Sequence, residues 1–228
     1  MLFLWGSMGL VTSIEHWGMP AAIGMATEGV RAKYSEGAGG GGFGAADYEI
    51  GAKLDGAKVL AAVENMANKA QHLSDWSLFA YASPGWNAKS NKERLLKCLM
   101  NDWVIAQSLK GVTIQKRTFE KFSVIVPIIA GGMALEQLSG PSVQQQNEFP
   151  VYLPLVPKAH LIALLVDYDC QQKGENSEGF KKKRTRYYQT HWERWEEHIE
   201  CIRTILIGYD VAAQVRFRAE LENKMGTN

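Results

Sequence analysis

Residues 180–206 constrain this chain more than any other stretch. Tyr188, Trp192, Trp195, Ile199, Ile202 and Leu206 recur at spacings of four and three, which is one apolar stripe on a helix. Such a stripe needs a covering surface, because each large side chain left in water forgoes roughly 1.5–3 kcal/mol. Directly ahead of it, five cations fall within six positions: Lys181, Lys182, Lys183, Arg184 and Arg186. Cations at a helix start oppose the helix dipole, at up to about 1 kcal/mol each. The run is therefore expected either as a loop before the helix or as a feature serving an anionic partner.

The rest of the chain reads as helical, punctuated by Gly and Pro. Over residues 20–34, Ile23, Ala26, Val30 and Tyr34 keep a helical stripe, with Pro20 suited to the first turn. The Gly-rich stretch 37–44 is expected to break regular structure as a loop or linker. A helix is predicted over 55–72 with Asp55 as its N-cap, since Gly51 and Gly56 make an earlier start costly. A short helix capped by Ser74 follows, and then one opened by a capping box, Ser90-Asn-Lys-Glu93. Residues 111–115 are compatible with a brief strand. Pro127 should kink or interrupt a helix over 118–129. Residues 141–157, with four prolines and a glutamine triplet, read as an extended connector. Residues 158–170 form an apolar helix that should be deeply buried, His160 included, and 171–179 a loop. The long helix should end near Gly208, with Asp210 capping a last one. The expected fold is mainly α, an irregular multi-helix bundle with a long C-terminal helix. Its predicted parts are 1–45 (helical segment and Gly-rich linker), 46–140 (helical core) and 141–228 (connector and C-terminal helices).

Composition narrows the function classes. With 228 residues, 46% of them hydrophobic, the chain can bury a sizeable core. Its formal net charge is only +1, so affinity for a polyanion must come from a local patch. Cys98, Cys170 and Cys201 are odd in number and widely spaced, which argues against a disulfide framework or a C-x-x-C metal knuckle and for reduced thiols in the cytoplasm. The first eleven residues resemble a signal-peptide core without its basic leader, the first cation being Arg31. A buried or frayed N-terminus is expected, with Met8 or Met19 as alternative starts. The apolar run 123–135 is shorter than the ~20 residues a bilayer requires, so no membrane partner is expected.

No motif announces catalysis. G-x-G-x-x-G occurs formally at Gly37, Gly39 and Gly42, but a polar segment precedes it where a dinucleotide fold needs a buried strand. His198 and Cys201 make at most half a zinc site, so no metal or cofactor is assigned. Asp167 and Asp169 diverge on a helix and should mark its solvated end. The candidate site is the basic run. Lys181, Lys182, Lys183, Arg184 and Arg186 would contact phosphates, with Tyr187 or Arg194 adding stacking or a further contact, and nucleic acid as the partner. Two rivals remain open: an interaction or self-association module using the tryptophan stripe or apolar surface near Trp86, and an enzyme whose site is too scattered to read.

Ile14-Glu-His-Trp-Gly18 resembles the short opening motif of one group of phage late-gene antitermination regulators, and 55–63 and 76–81 are loosely similar to the helices that follow it. The resemblance covers about a third of the chain. It implies a small helical protein of phage origin that acts on DNA and RNA polymerase to carry transcription past terminators. The chain departs from that family in having no clear helix-turn-helix with a basic recognition helix and no zinc-binding cysteine pairs. No family residue is carried over as a site.

Overall fold

The computed structural model describes residues 18–32, 43–83, 86, 89–139, 142–146 and 149–225. Among these, eight helices and one hairpin follow in the order α1 (Met19–Ala32), α2 (Phe43–Lys69), α3 (Gln71–Tyr81), α4 (Lys89–Leu109), α5 (Lys116–Ser139), β1 (Ser142–Gln146), β2 (Phe149–Leu153), α6 (Lys158–Lys173), α7 (Glu178–Thr190) and α8 (Trp192–Met225). The mainly α reading holds.

α8 is the axis of the bundle. Ile199, Ile202, Leu206, Tyr209, Ala213, Phe217 and Leu221 are buried at helical spacing, and α8 packs against α2, α3, α4 and α5. One continuous cluster links this stripe to Trp76 of α3, Trp103 of α4 and Phe122 of α5, all three fully buried. Trp195 stacks on Phe122 with ring centroids 5.2 Å apart. The tryptophan stripe is thus consumed inside the chain.

Several element boundaries differ from the sequence expectation. α2 starts at Phe43, twelve residues before Asp55, and includes Gly44; residues 37–42 lie outside the described residues. Gly56 is buried inside α2 against Ala26 of α1, at a distance that would also admit a Cβ. Ser74 is not a cap but a buried residue inside α3, whose N-cap is Ala70. Ser90 lies one residue inside α4 instead of preceding it, and Glu93 faces Lys89 at 3.8 Å. Residues 111–115 are a turn and irregular chain, entered through Gly111 at φ 76°. α5 runs through Pro127. The carbonyl that Pro127 cannot bond belongs to Ser123, an exposed residue open to water.

The 141–157 connector contains a hairpin. β1 and β2 pair antiparallel from Ser142↔Leu153 to Gln146↔Phe149, and Pro150 faces Gln145. A two-stranded ribbon has only edge strands, where a proline costs least. Beyond it the chain crosses α5. A Cβ on Gly132 would collide with Val156, and the Leu155 N–H donates to Glu136 Oε1 at 2.7 Å. Glu136 also accepts from Arg203 of α8 at 3.0 Å.

α6 is two-faced, not buried all round. Leu161, Ile162, Leu165, Val166 and Cys170 are buried, whereas His160 is exposed. Gly174, at φ 65°, ends it, and the Glu175 N–H reaches back to the Cys170 carbonyl at 3.1 Å. That left-handed turn reverses the chain within four residues. Ser177 then caps α7, accepting from the Phe180 N–H at 3.2 Å, so the expected loop ends earlier than Gly179. At His191 (φ −108°, ψ 21°) the helix breaks, and the stripe 188–206 spans two helices. α8 then passes uninterrupted through Gly208, and Asp210 is buried within it, not a cap.

Candidate functional site

The basic run lies one turn into α7. At 100° per residue, Lys182, Lys183 and Arg186 share one sector, while Arg184 and Tyr188 turn the other way. The structure follows that geometry. Lys182, Lys183 and Arg186 are exposed and form no ion pair among the described residues. Lys181 is half-buried and stands 3.9 Å from Glu178, one turn back. Tyr187 is 42% exposed, with the Arg184 guanidinium 4.4 Å from its ring centroid and the His191 ring at 4.6 Å. Arg194 is exposed on α8, beyond the His191 joint. Of the seven residues singled out by sequence, three form a free basic face.

Arg184 does different work. Its Nε donates to Asp169 Oδ2 at 2.6 Å, and its Nη2 lies 3.3 Å from the Tyr188 hydroxyl. Lys121 of α5 reaches Asp169 Oδ1 at 2.8 Å, and the Tyr188 hydroxyl donates to Oδ2 at 2.7 Å. Asp169 is therefore not part of a solvated helix end; Asp167 is the exposed member of that pair. Burial alone would raise the Asp169 carboxyl, but the hydrogen bonds from Lys121 and Tyr188 and the charge of Lys121 outweigh it and hold it below its ordinary range. Burial pushes Lys121 down, opposed by Asp169. Burial and the bond to Asp169 push the Tyr188 hydroxyl well up, so it stays a donor. Two cations meet one carboxylate here, and the node carries a surplus positive charge.

Above this node a cleft of about 330 Å³ opens where the start of α5, the end of α6 and the start of α7 meet. Four cations line it, Arg117, Lys173, Lys183 and Arg184, against two carboxylates, Glu120 and Asp169. Tyr168 and Phe180 supply aromatic surface, and the Lys173 ammonium lies 5.4 Å from the Phe180 ring centroid. Sequence reasoning missed Asp169, Lys121, Arg117 and Lys173. A signal existed for two of them. Asp169 continues the stripe of Leu161, Ile162, Leu165 and Val166, and Lys121 interrupts that of Phe122, Ile125 and Ile129. A charge on a buried stripe calls for a partner.

Other candidates resolve as packing. His198 meets Trp103 and Phe122 edge-on, with ring centroids 5.5 and 5.4 Å apart, and burial pushes its pKa down. Among the described residues no three His, Cys, Asp or Glu side chains converge as a metal site requires. All three cysteines are free thiols. Lys116–Leu138 within α5 is long and apolar enough to cross a bilayer, but half of its apolar window is buried inside the bundle. A groove of about 760 Å³ between α4 and α5, lined by Leu96, Met100, Val104, Ile114 and Phe119, is apolar with lysines at its rim.

Comparisons with family models, with curated proteins and with solved structures find no match.

Proposed function

We propose that this chain is a cytoplasmic nucleic-acid-associated accessory protein that binds a polyanion through the outer face of α7. The observation that carries the reading is the side-by-side exposure of Lys182, Lys183 and Arg186, without ion pairs among the described residues, in a chain whose net charge is only +1. Two lysines and a forked arginine within about one helical turn offer several phosphate donors side by side, more than a single carboxylate ligand needs. Arg117 and Lys173 extend the positive surface toward α5 and α6. On the resemblance of residues 14–18, the process is transcription regulation of the phage antitermination kind, acting on DNA and RNA polymerase. That motif, apart from Gly18, lies outside the described residues.

The test is a titration with duplex and single-stranded oligonucleotides at two salt concentrations. Counterion release predicts a steep loss of affinity at the higher one, and Lys182→Ser/Lys183→Ser/Arg186→Ser should reduce the salt slope by about 2–3. Binding that ignores salt, or a triple variant that binds like the parent, overturns the reading.

A further inference from the structure

The cleft above Asp169 has a chemistry that the exposed face lacks. Lys182 and Arg186 look into open solvent, where they meet any polyanion. Arg117, Lys173 and Lys183 come from three different helices and line one concavity, and none of them forms an ion pair among the described residues. Bringing three like charges together costs energy unless something negative sits between them. The carboxylate on the spot does not serve. Asp169 has both oxygens engaged, Oδ1 by Lys121 and Oδ2 by Arg184 and Tyr188. The surplus charge of that buried node adds to the field of the cleft instead of quenching it. Glu120, the other carboxylate, lies 3.9 Å from Lys116, one turn back on the same helix. The first turn of α5, from which Arg117 projects, adds the positive end of its dipole.

We infer that this cleft is a seat for one phosphomonoester group, held by Arg117, Lys173 and Lys183. A volume of about 330 Å³ admits a single phosphate with part of its sugar or base, whereas a duplex backbone runs along a surface. A monoester carries close to two negative charges and three free oxygens, which suits three separate cations. A diester offers one charge and two oxygens. Tyr168 and Phe180 give a stacking surface for the attached group. The inference rests on the polyanion reading and sharpens it: the partner is a strand with a terminal phosphate, or a free nucleotide with the same group.

The experiment uses the full chain with four probes: inorganic phosphate, adenosine monophosphate, and one oligonucleotide carrying either a 5′-phosphate or a 5′-hydroxyl. The parent should bind phosphate saturably and prefer the phosphorylated strand by about tenfold, the worth of one charge-assisted contact. Arg117→Ala/Lys173→Ala should abolish both effects and keep the parent's helical circular dichroism, because both side chains are exposed. Lys182→Ser/Arg186→Ser should weaken the two strands equally and leave phosphate binding unchanged. Tighter binding of the mononucleotide than of the phosphorylated strand identifies a free nucleotide as the source; the reverse identifies a strand end. Equal affinity for the two strands, or phosphate binding that survives Arg117→Ala/Lys173→Ala, overturns the inference. If neither strand binds while phosphate saturates the cleft, the polyanion reading falls and the seat stands.

Discussion

Asp169 and Asp210 are almost equally buried, 5% and 4% exposed, yet they are met by opposite partners. Asp210, on α8, accepts from the Trp76 indole at 3.0 Å, from the Tyr81 hydroxyl and from Gln214 at 2.7 Å. All are neutral donors, and burial and the bond to Asp210 push the Tyr81 hydroxyl well up, which keeps its proton in place. Asp169 is met by Lys121 and Arg184 as well as Tyr188. Neutral donors are enough to lodge a carboxylate between α3 and α8. Cations at the other carboxylate add desolvation cost without being needed for packing. The comparison locates the exceptional chemistry of the molecule at the α5–α6–α7 corner, where charge is in excess, and marks the α3–α8 contact as structural.

The largest effect should come from Asp169→Ala, which strands the buried Lys121 and the partly buried Arg184. A loss of about 3–5 kcal/mol in urea unfolding is expected, and a loss below about 1 would break the contrast outright. Asp210→Ala orphans the Trp76 and Tyr81 donors and should cost at least about 2 kcal/mol, from two buried unsatisfied groups at about 1–3 each. The asparagine variants sharpen the point. Asp210→Asn keeps an acceptor and should be much milder than Asp169→Asn, which leaves the cations uncompensated. Equal costs would mean that charge is irrelevant at both places.

Acid provides a third handle. The folded carboxyl of Asp169 sits below its ordinary range, so its stabilisation is complete above the unfolded value of about 4 and is lost as pH falls through the lower folded value. The stability gap between the parent and Asp169→Asn should therefore close on acidification below about pH 4, as read from denaturant midpoints across pH. A gap that stays constant would show that Asp169 acts by shape alone. Smaller still is Ser177→Ala, which removes the cap that starts α7 at the same corner and should cost about 1 kcal/mol. Lys182→Ser/Lys183→Ser/Arg186→Ser should fall within about 0.5 kcal/mol of the parent and change only the binding of anions, nucleic acid and phosphate alike. A larger loss would mean that the outer face of α7 also holds the fold together.

Much of this architecture was readable from side-chain periodicity, because apolar stripes report the face each helix buries. Leu99 and Trp103 in α4, and Ile199, Ile202 and Leu206 in α8, are buried as their spacing requires. Boundaries were less readable, since they depend on tertiary partners. Asp210 sits inside a helix because Trp76 and Tyr81 come from elsewhere to bond it. The site was half readable. The cationic run marks the right helix, but sequence cannot tell which cation a distant carboxylate will claim. Arg184 is held by a residue 15 positions away, and the remaining cations of the cleft, Arg117 and Lys173, carry no local mark at all.

The crossing of α5 by the segment after the hairpin rests on a side chain that is missing. At position 132 the backbone hydrogen of glycine occupies the only room that Val156 leaves. Position 132 cannot gain a side chain while Val156 keeps its place, whereas a smaller residue at 156 fits beside the glycine. An alanine at 132 evicts the valine, and with it the bond from Leu155 to Glu136, which in turn holds Arg203. In any lineage carrying this fold, the glycine should persist wherever position 156 carries a β-branched residue.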